Sequence, residues 1–232
     1  MDAAEFDRFA EEYRQLHANN IRLSGEGPEY FAEYKVADVA ALLAAGGFPA
    51  EPAILDFGAG VGTSVAHFRK HVPRCSLTCL DISSKSLEIG RATFAAEANF
   101  VHFDGTQLPF PDNCFDLVFV ACVLHHIAHA EHAHFLEEFH RVIRPGGGLV
   151  IFEHNPYNPL TVHAVNTCPF DENAVLLKPR RLAAAVRAAR FADCMLRYRI
   201  FFPRALRSLR RLEKSLKWLP LGAQYYVYAR KS

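Results

Sequence analysis

An apolar run followed by three closely spaced glycines decides how this chain folds: Ala53-Ile54-Leu55-Asp56-Phe57-Gly58-Ala59-Gly60-Val61-Gly62. The pattern is typical of a buried strand that ends in a glycine turn and leads into a helix. Glycine lets the main chain adopt positive φ angles and lets a ligand come within contact distance of the backbone. The stretch therefore predicts a strand, loop and helix that bind a nucleotide-like cofactor.

The glycine spacing differs from that of dinucleotide-binding loops, which read G-x-G-x-x-G/A. Here Thr63 occupies the position of the last small residue, and the third glycine comes one residue early, at Gly62. An acidic residue, Asp56, precedes the glycines, where a carboxylate would repel a pyrophosphate but could receive a cationic amino-acid group. These differences disfavour an NAD(P)-dependent dehydrogenase.

Further landmarks follow in chain order, and the first is a second apolar strand that ends in Asp81, 21 residues beyond Gly60. The others are the stretches 99–105, 115–121 and 141–151. With this order of landmarks the chain resembles the class I S-adenosylmethionine (SAM)-dependent methyltransferases, whose first motif is an acid followed by G-x-G-x-G. The resemblance covers about residues 53–153 and is nearest to the ubiquinone/menaquinone-type and small-molecule group.

The resemblance implies that SAM is the cofactor and indicates which residues surround it. It assigns the ribose diol to Asp81 and the adenine amino group to Asp104, whereas Gly146 to Gly148 are expected to form only a structural turn. The complete set of predicted cofactor-binding residues comes from the glycine turn and the strand ends: Asp56, Gly58, Ala59, Gly60, Gly62, Asp81, Ile82, Asp104, Gly105 and Ala121.

Strand and helix patterns alternate along the chain, which predicts an α/β fold with a parallel sheet covered by helices on both faces. Strands are expected near 53–57, 76–81, 99–103, 115–121 and 149–153, with helices near 63–71, 84–97 and 131–143. A helix at 180–190, a strand at 195–202 and a last strand at 224–229 complete the sheet. The resemblance implies a doubly wound, seven-stranded, mostly parallel Rossmann-like sheet whose last strand is antiparallel.

Residues 1–50 are predicted to form a helical lid and residues 51–232 the SAM-binding domain. The second lid helix is expected to begin at Pro28 and to stop at Gly46. In the resembled family such helices lie over the cofactor and help to close the substrate pocket. Tyr13 is a candidate pocket residue, Tyr34 is expected in the core, and Lys35 is expected to be solvated although it could reach the SAM carboxylate.

Methyl transfer from a sulfonium is an in-line displacement, so the protein mainly excludes water and aligns the reacting atoms. A hydroxyl, carbon acid or ammonium acceptor also needs a general base. The candidate bases at strand ends are His125, His126, Glu153 and His154, and His154 is preferred because it follows Glu153 at the predicted mouth of the pocket. For His125 and His126 a structural or helix-capping role is the alternative that the sequence favours.

Charge is unevenly divided, because residues 178–232 carry 15 Lys/Arg and 2 Asp/Glu whereas residues 1–177 carry 11 and 23. Residues 203–219 form a basic insertion with helical spacing, in which cations occupy one face and leucines the other. The favoured interpretation is a surface helix that packs its leucines on the sheet. The alternative is contact with an anionic lipid-linked substrate, a phosphorylated substrate or an anionic membrane surface.

Composition agrees with a cytoplasmic enzyme that lacks a transmembrane segment and a secretory signal. The six cysteines are scattered and expected to be reduced, and no zinc spacing appears, so no metal site is predicted. His129, His132 and His134 are expected on a solvated helix face.

These features predict a SAM-dependent methyltransferase that acts on a small molecule or on a lipid- or sugar-linked biosynthetic intermediate. Two alternatives stay open: an RNA or protein methyltransferase that uses the basic C-terminal segment, and a non-catalytic SAM-binding scaffold. Nucleic acid is not an expected partner, because the stretch Asn155-Pro156-Tyr157 only partly matches the N-P-P-Y motif of base methyltransferases and follows the fifth strand instead of the fourth. The acceptor atom and the oligomeric state are left open.

Overall fold

The sheet has seven strands in the order β3-β2-β1-β4-β5-β7-β6, in a computed structural model that describes residues 24–168 and 173–232. Four strand pairs are parallel, and β7 runs antiparallel to both of its neighbours. The mostly parallel sheet with an antiparallel last strand is therefore confirmed. Its strands are β1 Ala53–Phe57, β2 Ser76–Asp81, β3 Asn99–His102, β4 Phe115–Ala121, β5 Ile143–His154, β6 Phe191–Arg199 and β7 Gln224–Lys231.

Helices connect the strands, and three of them begin at a proline, whose fixed φ suits the first helical turn. The helices are α1 Pro28–Ala45, α2 Val65–His71, α3 Ser84–Phe94, α4 His132–Val142, α5 Pro159–Asn166, α6 Pro179–Ala188 and α7 Glu213–Leu216. Short 3-10 helices lie at Leu124–His126, His129–Glu131 and Arg204–Leu212. As expected, α1 stops at Gly46, whose amide donates to the carbonyl of Leu42.

Both faces of the sheet are buried, because alternate residues of each strand point to opposite sides. Leu55 and Phe57 of β1 pack in one cluster with α4 and α6, whereas Ile54 packs in the other with α1, α2 and α3. Perpendicular aromatic contacts tie helix to strand on each face, at 4.9 Å between Phe57 and Phe139 and 5.4 Å between Phe68 and Phe119. The doubly wound arrangement follows from this alternation.

The order of the strands also determines where a ligand site can form. Chain order reverses between β1 and β4, so the connections on either side of this pair lead away from each other. In sheets of this type a crevice opens at the carboxyl ends of the strands at the reversal point. The glycine turn after β1 and the segment after β4 both lie there.

Two predicted boundaries of the C-terminal half are wrong. Strand β6 begins at Phe191, before the predicted residue 195, and its register shifts between Ala192 and Met195, where Asp193 has a φ of 49°. It ends at Arg199 because the next residue, Ile200, adopts a φ of 62° and turns the chain out of the sheet. The periodicity of apolar residues does not indicate a β-bulge of this kind, so the sequence alone does not predict it.

The basic insertion also differs from the prediction. Instead of one amphipathic helix it forms the 3-10 segment Arg204–Leu212, interrupted at Leu206, followed by the single turn of α7. Its leucines at 206, 209 and 212 are exposed and do not pack on the sheet. The favoured sequence interpretation of this segment is therefore wrong.

The N-terminal lid is described only from residue 24 onward. The first predicted lid helix and the candidate pocket residue Tyr13 lie outside the described residues. In α1, Tyr34 is buried, donates a hydrogen bond to the side-chain oxygen of Gln224 and packs edge-on against Phe152. Its predicted place in the core is confirmed.

Candidate active site

A cavity of about 350 Å³ opens at the carboxyl ends of the central strands, where the strand order reverses. A volume of this size suits a small molecule. Its walls come from α1, the glycine turn, the ends of β2, β4 and β5, helix α5 and the start of the basic insertion. Of the predicted site residues, those that line it are Asp56, Gly58, Ala59, Gly60, Asp81, Ile82, Ala121, His126 and His154.

The glycine turn is shaped by positive φ angles at Gly58 and Gly60, of 72° and 54°. A β-carbon at Gly58 would lie 2.4 Å from a methyl group of Val123, so this position excludes any side chain. Nothing within 4 Å would meet a β-carbon at Gly60. Gly58 is thus required by packing and conformation, whereas Gly60 leaves open space beside the backbone on the cavity side.

The carboxylate of Asp81 holds the glycine turn against the end of β2. One oxygen accepts the amide of Gly60 at 2.8 Å, and the other accepts the amide of Ser83 at 2.8 Å. A carboxylate oxygen can accept more than one hydrogen bond, and Asp81 lines the cavity. The geometry suits the predicted contact with a ribose diol.

Asp56 is buried at the end of β1 and accepts a hydrogen bond from the hydroxyl of Ser64. Burial raises the pKa of Asp56 to about 7, and the neighbouring Asp81 adds to this, although Ser64 and Lys35 act in the opposite direction. An acid with this pKa ionises near neutral pH, and a cationic ligand group beside it would favour the charged form.

Lys35 departs from its predicted place on the surface. It is only 8% exposed, lines the cavity and lies near both Asp56 and Cys122. A buried ammonium is costly unless charged groups compensate it. The helical periodicity of α1 could not show that Lys35 is buried. Periodicity identifies the face of a helix on which a residue lies but not the elements that pack against that face.

Cys122, directly after β4, is a cavity residue that the sequence analysis did not single out. It adopts a φ of 59°, and its amide donates to the carbonyl of Phe152 at 2.8 Å. Burial alone would raise the pKa of this thiol, but the charge of Lys35 and the charge and hydrogen bond of His154 lower it to about 7. The side-chain amide of Gln224 lies 3.8 Å from the sulfur.

A buried pair joins the ends of β4 and β5. Nδ1 of His125 lies 2.6 Å from Oε2 of Glu153, and the amide of Leu124 donates to Oε1 at 2.9 Å. Burial would raise the pKa of Glu153, yet the charge and hydrogen bond of His125, with smaller effects from His154 and His126, hold it below its usual range. The carboxylate thus orients His125, which lines the cavity.

The predicted catalytic residues therefore fall into two groups. Glu153 is completely buried behind His125 and does not itself line the cavity, so its catalytic role stays a prediction and would have to act through His125. His126 and His154 do line it, and the rings of both lie beside His125, at 4.2 and 5.2 Å between centroids. His125 was itself among the candidate bases, although the sequence favoured a structural role for it.

Three predicted cofactor residues lie outside the cavity wall formed by the described residues. Asp104 is exposed, and its carboxylate accepts the amide and hydroxyl of Thr106 at 2.9 and 2.6 Å. Gly105 follows it in the same turn, and Gly62 packs under Phe100. Their contacts with a cofactor stay predictions.

Two other sequence features have structural roles. The side chain of Asn155 donates to the carbonyls of Gly222 and Pro220 at 2.7 and 3.2 Å, so the stretch resembling N-P-P-Y locks the end of β5 to the loop before β7. His132, expected to be solvated, is buried, and its Nε2 lies 2.9 Å from the carbonyl of Leu124 and from that of Ile127.

The glycine turn and the acids at the ends of β1 and β2 lie in a stretch that is similar to a known family. Residues 55–151 match the model of a family described as "Methyltransferase domain". The match includes strands β2, β3 and β4 and most of β1 and β5.

Curated relatives of this chain include quinone-biosynthesis enzymes. The ubiquinone/menaquinone biosynthesis C-methyltransferase of Ectopseudomonas mendocina is 36% identical over 124 residues, which cover 50% of this chain and 48% of that protein. The enzyme of the same name from Hahella chejuensis is 33% identical over 131 residues, covering 53% and 52%. The chain thus spans about half the length of the curated relatives it matches.

Solved structures share the fold over the whole length of this chain. A SAM-dependent methyltransferase of Thermotoga maritima, described as a possible histamine N-methyltransferase, superposes with a TM-score of 0.70 at 18% identity and covers 99% of both chains. Human N-acetylserotonin methyltransferase in complex with SAM gives 0.64 at 18% identity, covering 100% of this chain and 57% of the human one. At this identity the likeness shows the fold alone.

Proposed function

We propose that this protein transfers the methyl group of SAM to a small, largely apolar acceptor that must lose a proton. One observation carries the proposal: the oriented His125–Glu153 pair faces the same cavity as the glycine turn and the carboxylates of Asp56 and Asp81. The histidine–carboxylate pair can act as the proton acceptor. The glycine turn and the two aspartates can bind a nucleoside that bears a charged amino acid.

SAM would lie along the glycine turn. Its ribose hydroxyls would donate to Asp81, and its amino group would pair with Asp56. The buried Lys35 supplies a cation for its carboxylate, so that the two charges of the methionine moiety meet opposite charges of the cavity. Ile82 and Phe103 line the wall beyond β2 and give an apolar surface for the adenine.

The acceptor would occupy the part of the cavity between α1, α5 and the basic insertion. Phe31, Val165 and Phe201 make that wall apolar, and His126 and His154 add polar groups beside His125. Such a wall suits an aromatic or aliphatic ring with a hydroxyl or an acidic carbon–hydrogen bond. A small-molecule acceptor, including a lipid- or sugar-linked one, fits this arrangement better than a nucleic acid or protein segment.

SAM supplies an electrophilic methyl group on a sulfonium. Because Nδ1 of His125 is engaged by Glu153, the acceptor proton would be taken by Nε2 of the ring. Transfer would form the bond from the acceptor oxygen or carbon to the methyl group and release the sulfur compound with the electron pair of the broken bond. The products are the methylated acceptor, S-adenosylhomocysteine and a protonated His125.

The first experiment is calorimetric titration with SAM, S-adenosylhomocysteine and NAD. We expect micromolar binding of both sulfur compounds and none of NAD. Labelled SAM with a panel of phenols, quinols and lipid-linked hydroxy compounds then tests transfer. Binding of SAM without transfer to any acceptor class would favour the non-catalytic scaffold, and absence of binding to either sulfur compound would overturn the proposal.

A further inference from the structure

The basic insertion differs from an ordinary surface helix in which of its side chains face the protein and which face the solvent. Charged side chains attach it to the protein, whereas Leu206, Leu209 and Leu212 are exposed to solvent and Leu216 and Leu219 are half-buried. Helical surface segments usually bury their apolar stripe against the core. An inverted segment therefore needs a partner for the apolar side.

Two groups of contacts attach the insertion to the rest of the protein. The buried carboxylate of Glu213 accepts the amides of Phe201 and Phe202 at 3.1 and 3.3 Å and lies 3.7 Å from the guanidinium of Arg199. Arg210 pairs with Glu26 at 2.7 Å, and its guanidinium lies 4.6 Å from the ring centroid of Tyr30. These contacts determine which side of the segment faces inward.

Large apolar residues are exposed in the insertion, in the loop that follows it and on α5, and they are here named the outer apolar surface: Leu206, Leu209, Leu212, Trp218, Leu221 and Leu160. Trp218 is 69% exposed and Leu212 is 54% exposed. Leu160, on α5, is joined to the rest through the loop at 221, since the side chain of Asn158 donates to the carbonyl of Leu221 at 2.8 Å. Exposed apolar residues at this density mark an interaction site.

Cations accompany these residues. Arg204, Arg207, Arg211 and Lys214 are exposed along the same segment. Its only acidic residue, Glu213, is buried and already bound, so the outer side carries positive charge alone. A partner that complements it must be apolar and anionic at once.

We propose that the outer apolar surface docks on an anionic lipid bilayer. Leucine and tryptophan side chains would enter the boundary between headgroups and acyl chains, and arginine and lysine would extend to lipid phosphates. The contact is peripheral, because no helix within residues 24–168 and 173–232 is long and apolar enough to cross a membrane. The inference stands apart from the proposed methyl transfer.

The position of this surface has a consequence for the cavity. Leu160 belongs to both the outer apolar surface and the cavity wall, and Pro203, next to Arg204, also lines the cavity. Docking would bring the cavity mouth beside the bilayer. An apolar acceptor could then enter from the lipid phase, a corollary that does rest on the proposed function.

The chain carries its own reporter, since Trp218 is its only tryptophan. Full-length protein is mixed with vesicles of phosphatidylcholine, with or without phosphatidylglycerol, while tryptophan emission and co-sedimentation are followed. We expect a blue shift and salt-sensitive binding only with the anionic vesicles. Each surface cation contributes about fivefold to partitioning, so Arg207→Gln/Arg211→Gln/Lys214→Gln should lower it about 100-fold.

A matched control removes three exposed cations elsewhere, at Arg74, Arg181 and Arg187, and should lower partitioning much less. The variant Leu206→Ser/Leu209→Ser/Leu212→Ser should abolish the blue shift while keeping the thermal unfolding midpoint, because these side chains are already exposed.

Unchanged Trp218 emission on anionic vesicles would overturn the proposal. The proposal would also be overturned if the two charge variants lost vesicle partitioning equally. A parent protein that sediments as a dimer, with a leucine variant that sediments as a monomer, would overturn it too. SAM titration of every variant keeps failure of docking distinct from failure of the methyltransferase assignment.

Discussion

Nδ1 of His125 and Oε2 of Glu153 lie 2.6 Å apart, and both side chains are almost completely buried at the ends of adjacent parallel strands. The second carboxylate oxygen is held by the amide of Leu124. Glu153 can therefore neither rotate freely nor reach the cavity, and its effect on a ligand passes through the imidazole. A buried carboxylate behind a histidine is an arrangement that orients the ring and stabilises its protonated form.

Replacing His125 should separate catalysis from cofactor binding. Asparagine keeps a hydrogen-bond donor near Glu153 but has no base, so His125→Asn should lower turnover about 100- to 10,000-fold. His154→Asn should lower it less, because the hydrogen-bonding partners of His154 within residues 24–168 and 173–232 are the thiol of Cys122 and the amide of Gln224 rather than a carboxylate. Turnover is measured with labelled SAM and an acceptor found in the screen.

Both histidine variants should bind SAM as the parent does, which calorimetry checks. If turnover falls more in His154→Asn than in His125→Asn, the base is His154, as the sequence alone suggests. If SAM affinity falls in parallel with turnover, neither histidine acts as a base.

The raised pKa of Asp56 predicts opposite effects on stability and binding. The folded protein holds this proton more tightly than the unfolded chain, whose pKa stays near 3.8, so the free energy of unfolding falls as pH rises from about 4 to 7. At pH 8, Asp56→Asn should raise the free energy of unfolding by about 4 kcal/mol, since the pKa is raised from 3.8 to about 7 and each pKa unit is worth about 1.4 kcal/mol. Urea denaturation at pH 5 and pH 8 measures the change.

The same variant should bind SAM at least tenfold more weakly at pH 8, because the neutral amide cannot pair with the ammonium group of the ligand. In the parent protein SAM affinity should rise with pH through about 7 as Asp56 ionises, and Asp56→Asn should flatten this dependence. Ser64→Ala is the matched control, since it removes only the hydrogen bond to the carboxylate. A parent affinity independent of pH between 6 and 8 would contradict the role of Asp56.

Cys122 should be the most reactive thiol among those whose pKa is shifted. Its pKa is lowered to about 7, whereas burial raises the pKa of Cys75, Cys79, Cys114 and Cys194. Alkylation by iodoacetamide, located by mass spectrometry, should therefore reach Cys122 first, with a midpoint near pH 7. Lys35→Met should move this midpoint upward, and S-adenosylhomocysteine should protect the thiol.

Cys122→Ser controls for the site of labelling. Modification of Cys114 before Cys122, or a midpoint unchanged by Lys35→Met, would show that the ammonium does not act on this sulfur.

Gly58 and Gly60 should respond differently to alanine. At Gly58 the new β-carbon meets Val123 and the positive φ is strained, so Gly58→Ala should lower the free energy of unfolding by about 3 kcal/mol. Gly60→Ala adds only the conformational strain, about 1 kcal/mol. Adding Val123→Ala to Gly58→Ala should recover part of the loss in urea denaturation. Equal losses at the two glycines would mean that Val123 moves aside freely.

Much of the fold follows from local sequence signals. Each apolar run of strand length that is followed by a turn residue forms a strand, because burying alternate side chains on two faces stabilises it whatever its partner. The strand that ends in Asp81 and the glycines after Asp56 could be placed without knowing the sheet order, since both positions follow from where a strand stops. The strands that carry the cofactor candidates were predicted correctly for this reason.

The site needed information that no local pattern contains. His125 and Glu153 are 28 residues apart and meet only because β4 and β5 pair in one particular register. The reactive environment of Cys122 depends on Lys35, which comes from α1. Spacing within a single helix or strand cannot report such contacts, because they are set by packing between elements.

The sequence by itself determined a methyltransferase-like sheet, the position of its glycine turn and the acids at its strand ends, because these are properties of single segments. Tertiary structure alone decided which of the histidines that line the cavity is hydrogen-bonded to a buried carboxylate, and which side of the basic insertion faces the solvent. In the insertion the burial of Glu213 beside Arg199 outweighs the tendency of leucines to pack inward. Periodicity defines the two faces of a segment, but only the charges and amides that meet one face determine which of them is buried.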